Sequence, residues 1–375
     1  MVIQRHIARI LFALTILLMA IYYLWIERLV PEIYNNNAPD WFTGIVDELY
    51  PRFQVEKQRF SLSFFQHKAD QVILRLGLSG LFISSLLAFT PLLKLTDSLS
   101  RAYSKYHIVV LRYIFYAGLL FYTWDWYFDI DQIDKMRPFY KGIHIFQIID
   151  FALPSPTLLS LIYFVYVMSL LLSITGIKKV VFATLTCILY VLMQGILLSY
   201  EKIEHGQATL LYSCMLMPFL LYETQKNEKR NRQQKSFLLF LIQLSIAGSY
   251  LMAGLEKILT SGLGWLDTDT FRGYVLLHNS PIGLSIIEND ILSQALPLLA
   301  LLFQIGFILI LFLPKLKLII LLMGIMFHWG TYLIFGIGSF TTPWIFVYIF
   351  FLNWDAILLK LGLAANSNNI RKKGI

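Results

Sequence analysis

The chain has 375 residues, of which 57% are hydrophobic and 14% are charged, and its mean hydropathy is +0.64. A soluble domain carries roughly 25% charged residues. This composition therefore excludes an ordinary soluble protein and indicates an all-α, polytopic transmembrane helix bundle. The two cysteines, Cys187 and Cys214, lie inside apolar runs, which excludes a disulfide framework and a cysteine-based zinc site.

The first apolar run follows Arg5 and Arg9, as the apolar core of a signal peptide would. No small-residue cleavage site follows it, so we expect an uncleaved first span. Each crossing of the hydrocarbon core needs about 20 apolar residues. On that basis the sequence predicts ten spans: 10–27, 71–93, 108–124, 156–175, 180–200, 207–222, 237–257, 293–313, 318–336 and 342–360.

The loop charges alternate along this series of spans. The N-terminus, the alternate loops 94–107, 176–179, 223–236 and 314–317 and the C-terminal tail hold 17 Lys/Arg and 3 Asp/Glu, whereas the opposite loops hold 10 and 17. Lysine and arginine favour the cytoplasmic side, so both termini are predicted to be cytoplasmic. The basic run 226–235 is then a cytoplasmic loop, and no nucleic-acid partner is expected despite the net charge of +8.

Three long segments lie on the predicted outer side, at 28–70, 125–155 and 258–292, and each contains Trp or Tyr residues typical of the membrane interface. We interpret the chain as an N-terminal extension with two extra spans (1–106), a membrane domain (107–360) and a basic cytoplasmic tail (361–375). Membrane lipid is therefore an expected partner, and the predicted location is the cell membrane.

Lys257 ends the seventh predicted span, within the sequence Ala253-Gly254-Leu255-Glu256-Lys257. A lysine at such a place either snorkels, with its stem in lipid and its ammonium at the headgroups, or faces a cavity inside the bundle and does chemistry. A lysine kept neutral in a dry cavity can act as a base. The neighbouring Glu256 points to a different helix face, so it is a poor ion partner for Lys257, and a neighbouring helix is an alternative partner for it.

Two histidines fall on the same predicted side of the membrane as Lys257. His328 lies past the middle of the ninth span, where the alternatives are a hydrogen-bonded strut between helices and a ligand-positioning or proton-relay residue. His205 opens the sixth span, where the alternative is an ordinary interfacial residue. No HxxxH or HExxH spacing is present, and no metal site is expected.

The segment Tyr250-x-x-Ala253-Gly254-x-x-Lys257, followed by Trp265, resembles the YxxAGxxK…W segment of vitamin K-dependent γ-carboxylases and of the wider HTTM (horizontally transferred transmembrane) family. Phe327-His328 and the following Ile337-Gly338-Ser339-Phe340 resemble the later FH…IGxF segment of that family, and Glu204-His205 is more weakly similar to its Asn-His segment. The resemblance covers roughly residues 107–360 and leaves out the first two predicted spans.

The resemblance implies specific roles for these residues. The lysine that matches Lys257 deprotonates vitamin K hydroquinone, and the histidine that matches His205 assists at the glutamate that is carboxylated. It therefore implies a reduced quinone as cofactor, Lys257, His205 and His328 as the catalytic group, and a glutamate of a secreted peptide or protein as substrate. An apolar, dry site is consistent with such chemistry, because it keeps a lysine neutral and excludes water.

The sequence also departs from that family. Glu256 occupies the position of a second lysine, the His205 segment lacks the asparagine, and no large soluble domain follows the last predicted span. The alternative function is therefore a non-catalytic membrane protein that assists maturation, export or immunity for a secreted peptide. A solute channel is a third, weaker possibility, because few charged residues fall within the spans.

The predicted topology can be tested with reporters in a bacterial host. A green fluorescent protein fused after residue 375 is expected to fluoresce, because the C-terminus is predicted to be cytoplasmic, whereas alkaline phosphatase at the same position is expected to be inactive. Alkaline phosphatase inserted within 258–292 is expected to be active, and the opposite pattern of activities would show that the orientation is inverted.

Overall fold

The computed structural model describes residues 2–50, 53–88, 103–143, 145–200, 206–222 and 228–363, and within these ranges it contains helices and no strands. The predicted all-α class is therefore confirmed for this part of the chain. Hydrocarbon offers no partner for backbone N–H and C=O groups, and a helix satisfies them within its own segment. Long apolar segments that cross a bilayer are accordingly helical.

The described residues form eighteen α-helices, which are labelled in chain order. They are α1 (Val2–Ile21), α2 (Glu27–Tyr34), α3 (Asp40–Leu49), α4 (Phe53–Glu56), α5 (Leu62–Ala88), α6 (Lys105–Thr123), α7 (Trp126–Lys135), α8 (Ile145–Ile148), α9 (Pro156–Thr175), α10 (Lys179–Leu198), α11 (Ala208–Leu221), α12 (Glu228–Ser261), α13 (Thr268–His278), α14 (Pro281–Ile287), α15 (Asp290–Gly306), α16 (Lys317–Phe335), α17 (Pro343–Phe346) and α18 (Trp354–Lys360). A π-helix (Tyr22–Ile26) joins α1 to α2, and 3-10 helices cover Arg137–Phe139, Gly262–Leu266, Phe307–Leu311 and Val347–Phe351.

Seven helical stretches of the described chain are long and apolar enough to cross a membrane, which is typical of a multi-pass membrane protein. They are Ala8–Tyr34, Tyr106–Thr123, Pro156–Thr175, Lys179–Leu198, Gln234–Thr260, Asp290–Leu311 and Lys317–Phe335. Each of them corresponds to a predicted span. The first is longer than predicted, because the helix continues through the π-helical turn into α2 and past Pro31.

The other three predicted spans have a different form. The helix α11 is apolar but has only 14 residues. The helix α5 covers most of the predicted span 71–93, whose last residues lie outside the described chain. The predicted span 342–360 is broken, with a bend of 79° between Pro343–Phe351 and Trp354–Lys360. The count of ten spans and the cytoplasmic position of both termini therefore stay predictions.

Side chains satisfy backbone carbonyl groups next to this bend. Leu352 is extended, which ends the preceding 3-10 helix. The Gln243 amide on α12 donates to the carbonyl oxygen of Phe350 at 2.7 Å, and the Trp354 indole N–H donates to that of Ile349 at 3.0 Å. Because buried carbonyl groups need partners, these two side chains make a broken helix tolerable at this place.

The described residues belong to two compact units that are interleaved along the sequence. The first unit is Met1–Thr96, His144–Phe151 and Ala247–Ser339, and the second is Asp97–Ile143, Ala152–Ile246 and Phe340–Ile375. The helix α12 supplies its earlier part to the second unit and its later part to the first. The predicted domain boundary at residue 106 stays a prediction. The two compact units are each made of several separate segments, whereas the predicted domains were continuous in sequence.

In the first unit, small residues let α1 and α5 pack closely. A Cβ atom on Gly77 would lie 2.5 Å from the sulfur of Met19, and one on Gly80 would overlap Thr15. Such close approach through small residues is common between membrane helices. The predicted outer segment after α1 folds into short helices around an apolar cluster, formed by Leu29, Val30, Ile33, Phe42, Phe53 and Phe65.

In the second unit, aromatic rings fix α7 against the neighbouring helices. The indole of Trp126 stacks on Tyr190 with ring centroids 5.5 Å apart and on Tyr166 at 5.9 Å. The Tyr163 hydroxyl donates to the backbone carbonyl groups of Thr123 and Trp124, at 3.3 and 3.2 Å. These contacts hold the α6–α7 corner over α9 and α10.

Gly283 on α14 lies very close to the backbone of α16. The Ser280 hydroxyl accepts a hydrogen bond from the Gly283 N–H and donates to the carbonyl oxygen of Ile334, which fastens α14 to the end of α16. A Cβ atom on Gly283 would overlap the Ile334 carbonyl oxygen and lie 2.8 Å from Cγ1 of Val275.

We expect Gly283→Ala to destabilise the protein by about 1–3 kcal/mol, because the added methyl group meets rigid backbone. Gly273→Ala in α13 is the matched control, since nothing lies within 4 Å of the position of its Cβ atom. The control is expected to be neutral or to stabilise by up to about 1 kcal/mol. Thermal unfolding in detergent measures both changes, and equal melting temperatures for the two variants would contradict the packing argument.

Candidate functional site

Lys257 lies near the end of the candidate span Gln234–Thr260 and is half-buried. After α12 ends at Ser261, Gly262 adopts a positive φ of 57° and starts a 3-10 helix that carries Trp265 back toward the lysine. The Lys257 ammonium nitrogen lies 5.0 Å from the centroid of the Trp265 ring and 3.4 Å from the carbonyl oxygen of Ala253. The lysine therefore contacts an aromatic face and its own helix.

Glu256 is paired with the first part of the chain rather than with Lys257. Its carboxylate accepts a hydrogen bond from Nη1 of Arg75 on α5 at 3.1 Å, and Nη2 of Arg75 contacts the Thr260 hydroxyl. Among the described residues, no carboxylate lies within 4.0 Å of the Lys257 amine. The structure therefore contains the alternative partner of Glu256 on a neighbouring helix.

An apolar cavity of about 330 Å³ has the Trp265 ring in its wall, whereas neither Lys257 nor His328 is one of its lining residues. Its lining comes from α13, α15 and α16 and consists largely of apolar and aromatic side chains. The lining residues are Trp265, Thr270, Phe271, Tyr274, Leu296, Pro297, Leu299, Ala300, Phe303, Met323, Met326, Phe327, Gly330, Thr331 and Phe335. Cavities of this size and character are typical of small-molecule sites.

The Trp265 indole nitrogen is a polar group of this wall that needs an acceptor. It is buried and has no hydrogen-bond partner among the described residues. The hydroxyl groups of Thr270 and Thr331 donate to the carbonyl oxygens of Gly264 and His328. Because a buried N–H without a partner is costly, the orphan indole suits a ligand that brings an oxygen acceptor.

His328 on α16 forms a hydrogen bond with α12. Its Nε2 lies 2.5 Å from the hydroxyl of Tyr250, which is two helical turns before Lys257 on the same face of α12. The Tyr250 ring stacks on Phe307 and meets Phe303 edge-on, and Phe303 packs against Phe327. The structure therefore contains a hydrogen bond between helices at His328, which was one of the two alternatives for this residue.

Of the three predicted catalytic residues, the structure describes two. Lys257 contacts a residue of the cavity wall, and His328 precedes two wall residues, Gly330 and Thr331, by one helical turn or less. His205 lies outside the described residues. Arg272, within the predicted outer segment 258–292, binds Asp290 and the carbonyl oxygen of Ile287 and so fastens α13 to the start of α15.

Sequence reasoning missed the α15 wall of the cavity and the role of Tyr250 as the partner of His328. Tyr250 opens the segment that ends at Lys257. The seven-residue spacing between the two was the available signal that they share one face of α12. The close approach of α15 has a signal in Gly254, where a Cβ atom would lie 2.7 Å from Cγ1 of Ile305. No signal singled out Leu296 or Ala300 from other apolar residues.

Comparison with family models, with curated proteins and with solved structures finds no match for this chain. In the part of the chain that the structure describes, the fold and the site define a helical, multi-pass membrane protein in which a lysine contacts a tryptophan that lines an apolar cavity. No group of three or more His, Cys, Asp or Glu in the described ranges is placed to hold a metal ion.

The Arg75–Glu256 pair can be tested by exchanging its charges. Arg75→Glu alone is expected to lower the melting temperature, because it places two carboxylates together, and the double variant Arg75→Glu/Glu256→Arg is expected to recover most of the loss. For a partly exposed pair we expect a coupling of about 0.5–1 kcal/mol. Additive effects in a double-mutant cycle of thermal unfolding would show that the two side chains do not interact.

Proposed function

We propose that this protein binds a reduced quinone in the apolar cavity of the first unit and uses Lys257 as the base that accepts a quinol proton. The observation that carries the proposal is the position of the Lys257 amine, over a ring that lines an apolar cavity and without a carboxylate within 4.0 Å among the described residues. A carboxylate partner would hold the lysine in its charged form.

The residues of the cavity fit a quinol in shape and polarity. The aromatic side chains Phe271, Phe303 and Phe327 offer faces for a planar ring, and the Trp265 N–H is free to donate to a quinol oxygen. Met323 and Met326 line the same cavity and are 47% and 71% exposed, so they border it on the outer surface of the protein, where an isoprenoid tail could enter.

The chain's own contribution to the chemistry is proton transfer and exclusion of water. Lys257 would take the proton of the quinol hydroxyl on Nζ and become an ammonium ion, which the face of Trp265 stabilises. When bound, the quinol would supply electrons to O2, and the free energy of that oxidation would drive carboxylation of a glutamate on a secreted peptide, as the resemblance to γ-carboxylases implies. Tyr250 and His328 would hold α12 and α16 in register around the cavity.

The alternative proposal is a non-catalytic membrane protein that assists maturation, export or immunity for a secreted peptide. It is favoured by the local contacts of Lys257, which meets a carbonyl group of its own helix and a nearby ring, and by the use of His328 as a strut. Both features are compatible with purely structural roles.

The test uses purified full-length protein, a reduced short-chain naphthoquinone, O2, CO2 and a glutamate-containing peptide. Lys257→Ala is expected to lower turnover of the quinol about 100- to 10,000-fold, the usual contribution of a positioned base, while quinol binding changes little. Trp265→Phe keeps the ring and removes the N–H donor, so it is expected to weaken binding about fivefold to tenfold, the worth of one hydrogen bond.

Lys315→Ala, in the loop before α16, is the control and is expected to leave both quantities unchanged. Product is measured as quinone epoxide and as γ-carboxyglutamate by mass spectrometry. If the wild type binds no quinone and forms neither product, the catalytic proposal is wrong. A Lys257→Ala variant with full biological activity at normal abundance would support the non-catalytic alternative.

A further inference from the structure

Arg112 is a buried cation within a candidate membrane span of the second unit. It lies on α6, in the stretch Tyr106–Thr123, and its side chain is only 7% exposed. Its Nε is buried without a hydrogen-bond partner, and no carboxylate of the described chain lies within 4.0 Å of the guanidinium group. A charged side chain at such a place is costly unless something compensates it.

The guanidinium group is held in a defined position by two neighbours. Its central carbon lies 4.8 Å from the centroid of the Tyr113 ring. The guanidinium group also lies against Gly176, the residue that follows α9. A Cβ atom on Gly176 would lie 2.6 Å from Cζ and 2.7 Å from Nη2. Since Gly176 has a φ of 82°, any other residue there would both strain the backbone and displace the guanidinium group.

The same place lies at the end of a span. Gly176 directly follows α9, so the guanidinium group lies at the end of the candidate span Pro156–Thr175. Lys178 and Lys179 follow at once in the chain, and the loop 176–179 contains no acidic residue. The helix α18 packs against α6 and carries Asp355, whose carboxylate accepts hydrogen bonds from the N–H and hydroxyl groups of Ser104.

We propose that Arg112, which lies against Gly176, binds the phosphate group of an anionic phospholipid. An arginine presents two parallel N–H donors to two phosphate oxygens, a geometry that a lysine cannot reproduce. The loop charges predict that this end of α9 is cytoplasmic, and the cytoplasmic leaflet is the one rich in anionic lipid. The site is independent of the cavity near Lys257 and of any activity there.

The test is a lipid titration of the full-length protein, purified in neutral detergent and stripped of lipid. Short-chain phosphatidylglycerol is expected to raise the melting temperature in a saturable manner, and native mass spectrometry is expected to show one retained lipid. Zwitterionic phosphatidylcholine is expected to bind at least tenfold more weakly. Arg112→Gln is expected to weaken phosphatidylglycerol binding at least tenfold, and Lys135→Gln on α7 serves as the matched control with no change.

Gly176→Ala provides a second variant. It keeps the positive charge of Arg112 but places a methyl group where the guanidinium group lies, so it is expected to weaken lipid binding as well. Equal affinity for phosphatidylglycerol in wild type, Arg112→Gln and Gly176→Ala would overturn the proposal. Saturable binding of inorganic phosphate without binding of phosphatidylglycerol would also overturn it, in favour of a free-anion site. Absence of phosphatidylglycerol binding by the wild type would overturn the proposal as well.

Discussion

The candidate functional site depends on how the charge of Lys257, near the end of a candidate membrane helix, is compensated. A carboxylate partner would fix Lys257 as an ammonium ion, whereas an aromatic face stabilises that ion only modestly and leaves the neutral form accessible. The chain does have a carboxylate beside Lys257, but Arg75 of α5 pairs with it. The short return of the chain through Gly262 then places Trp265 against the amine.

The Arg75–Glu256 pair also links α5 to the helix that carries Lys257. Glu256 places a negative charge next to Lys257 in the sequence. Arg75 supplies a positive charge to the same neighbourhood from α5, within the same compact unit. The helix α5 is therefore part of the environment of Lys257.

The helical class and most spans could be predicted because hydropathy and length are strong constraints in a bilayer. The pairing of Glu256 away from Lys257 was also predictable, since adjacent residues face different sides of a helix. The bend after Phe351 was not, because the segment 342–360 is apolar throughout and its broken backbone depends on Gln243, far away in sequence. The cavity was equally hidden, since its α15 wall consists of apolar residues like those of any other span.

The hydrogen bond between Gln243 and Phe350 has a consequence for the order of events during synthesis. The two residues are 107 positions apart, so α12 enters the membrane long before the carbonyl group that its glutamine binds has been made. Until then an amide within an apolar span has no partner from α17 or the 3-10 helix that follows it, which is a costly state in hydrocarbon. Arrival of Phe350 therefore completes this contact within the second unit, and a nascent chain that stalls before Phe350 carries a glutamine amide without this partner.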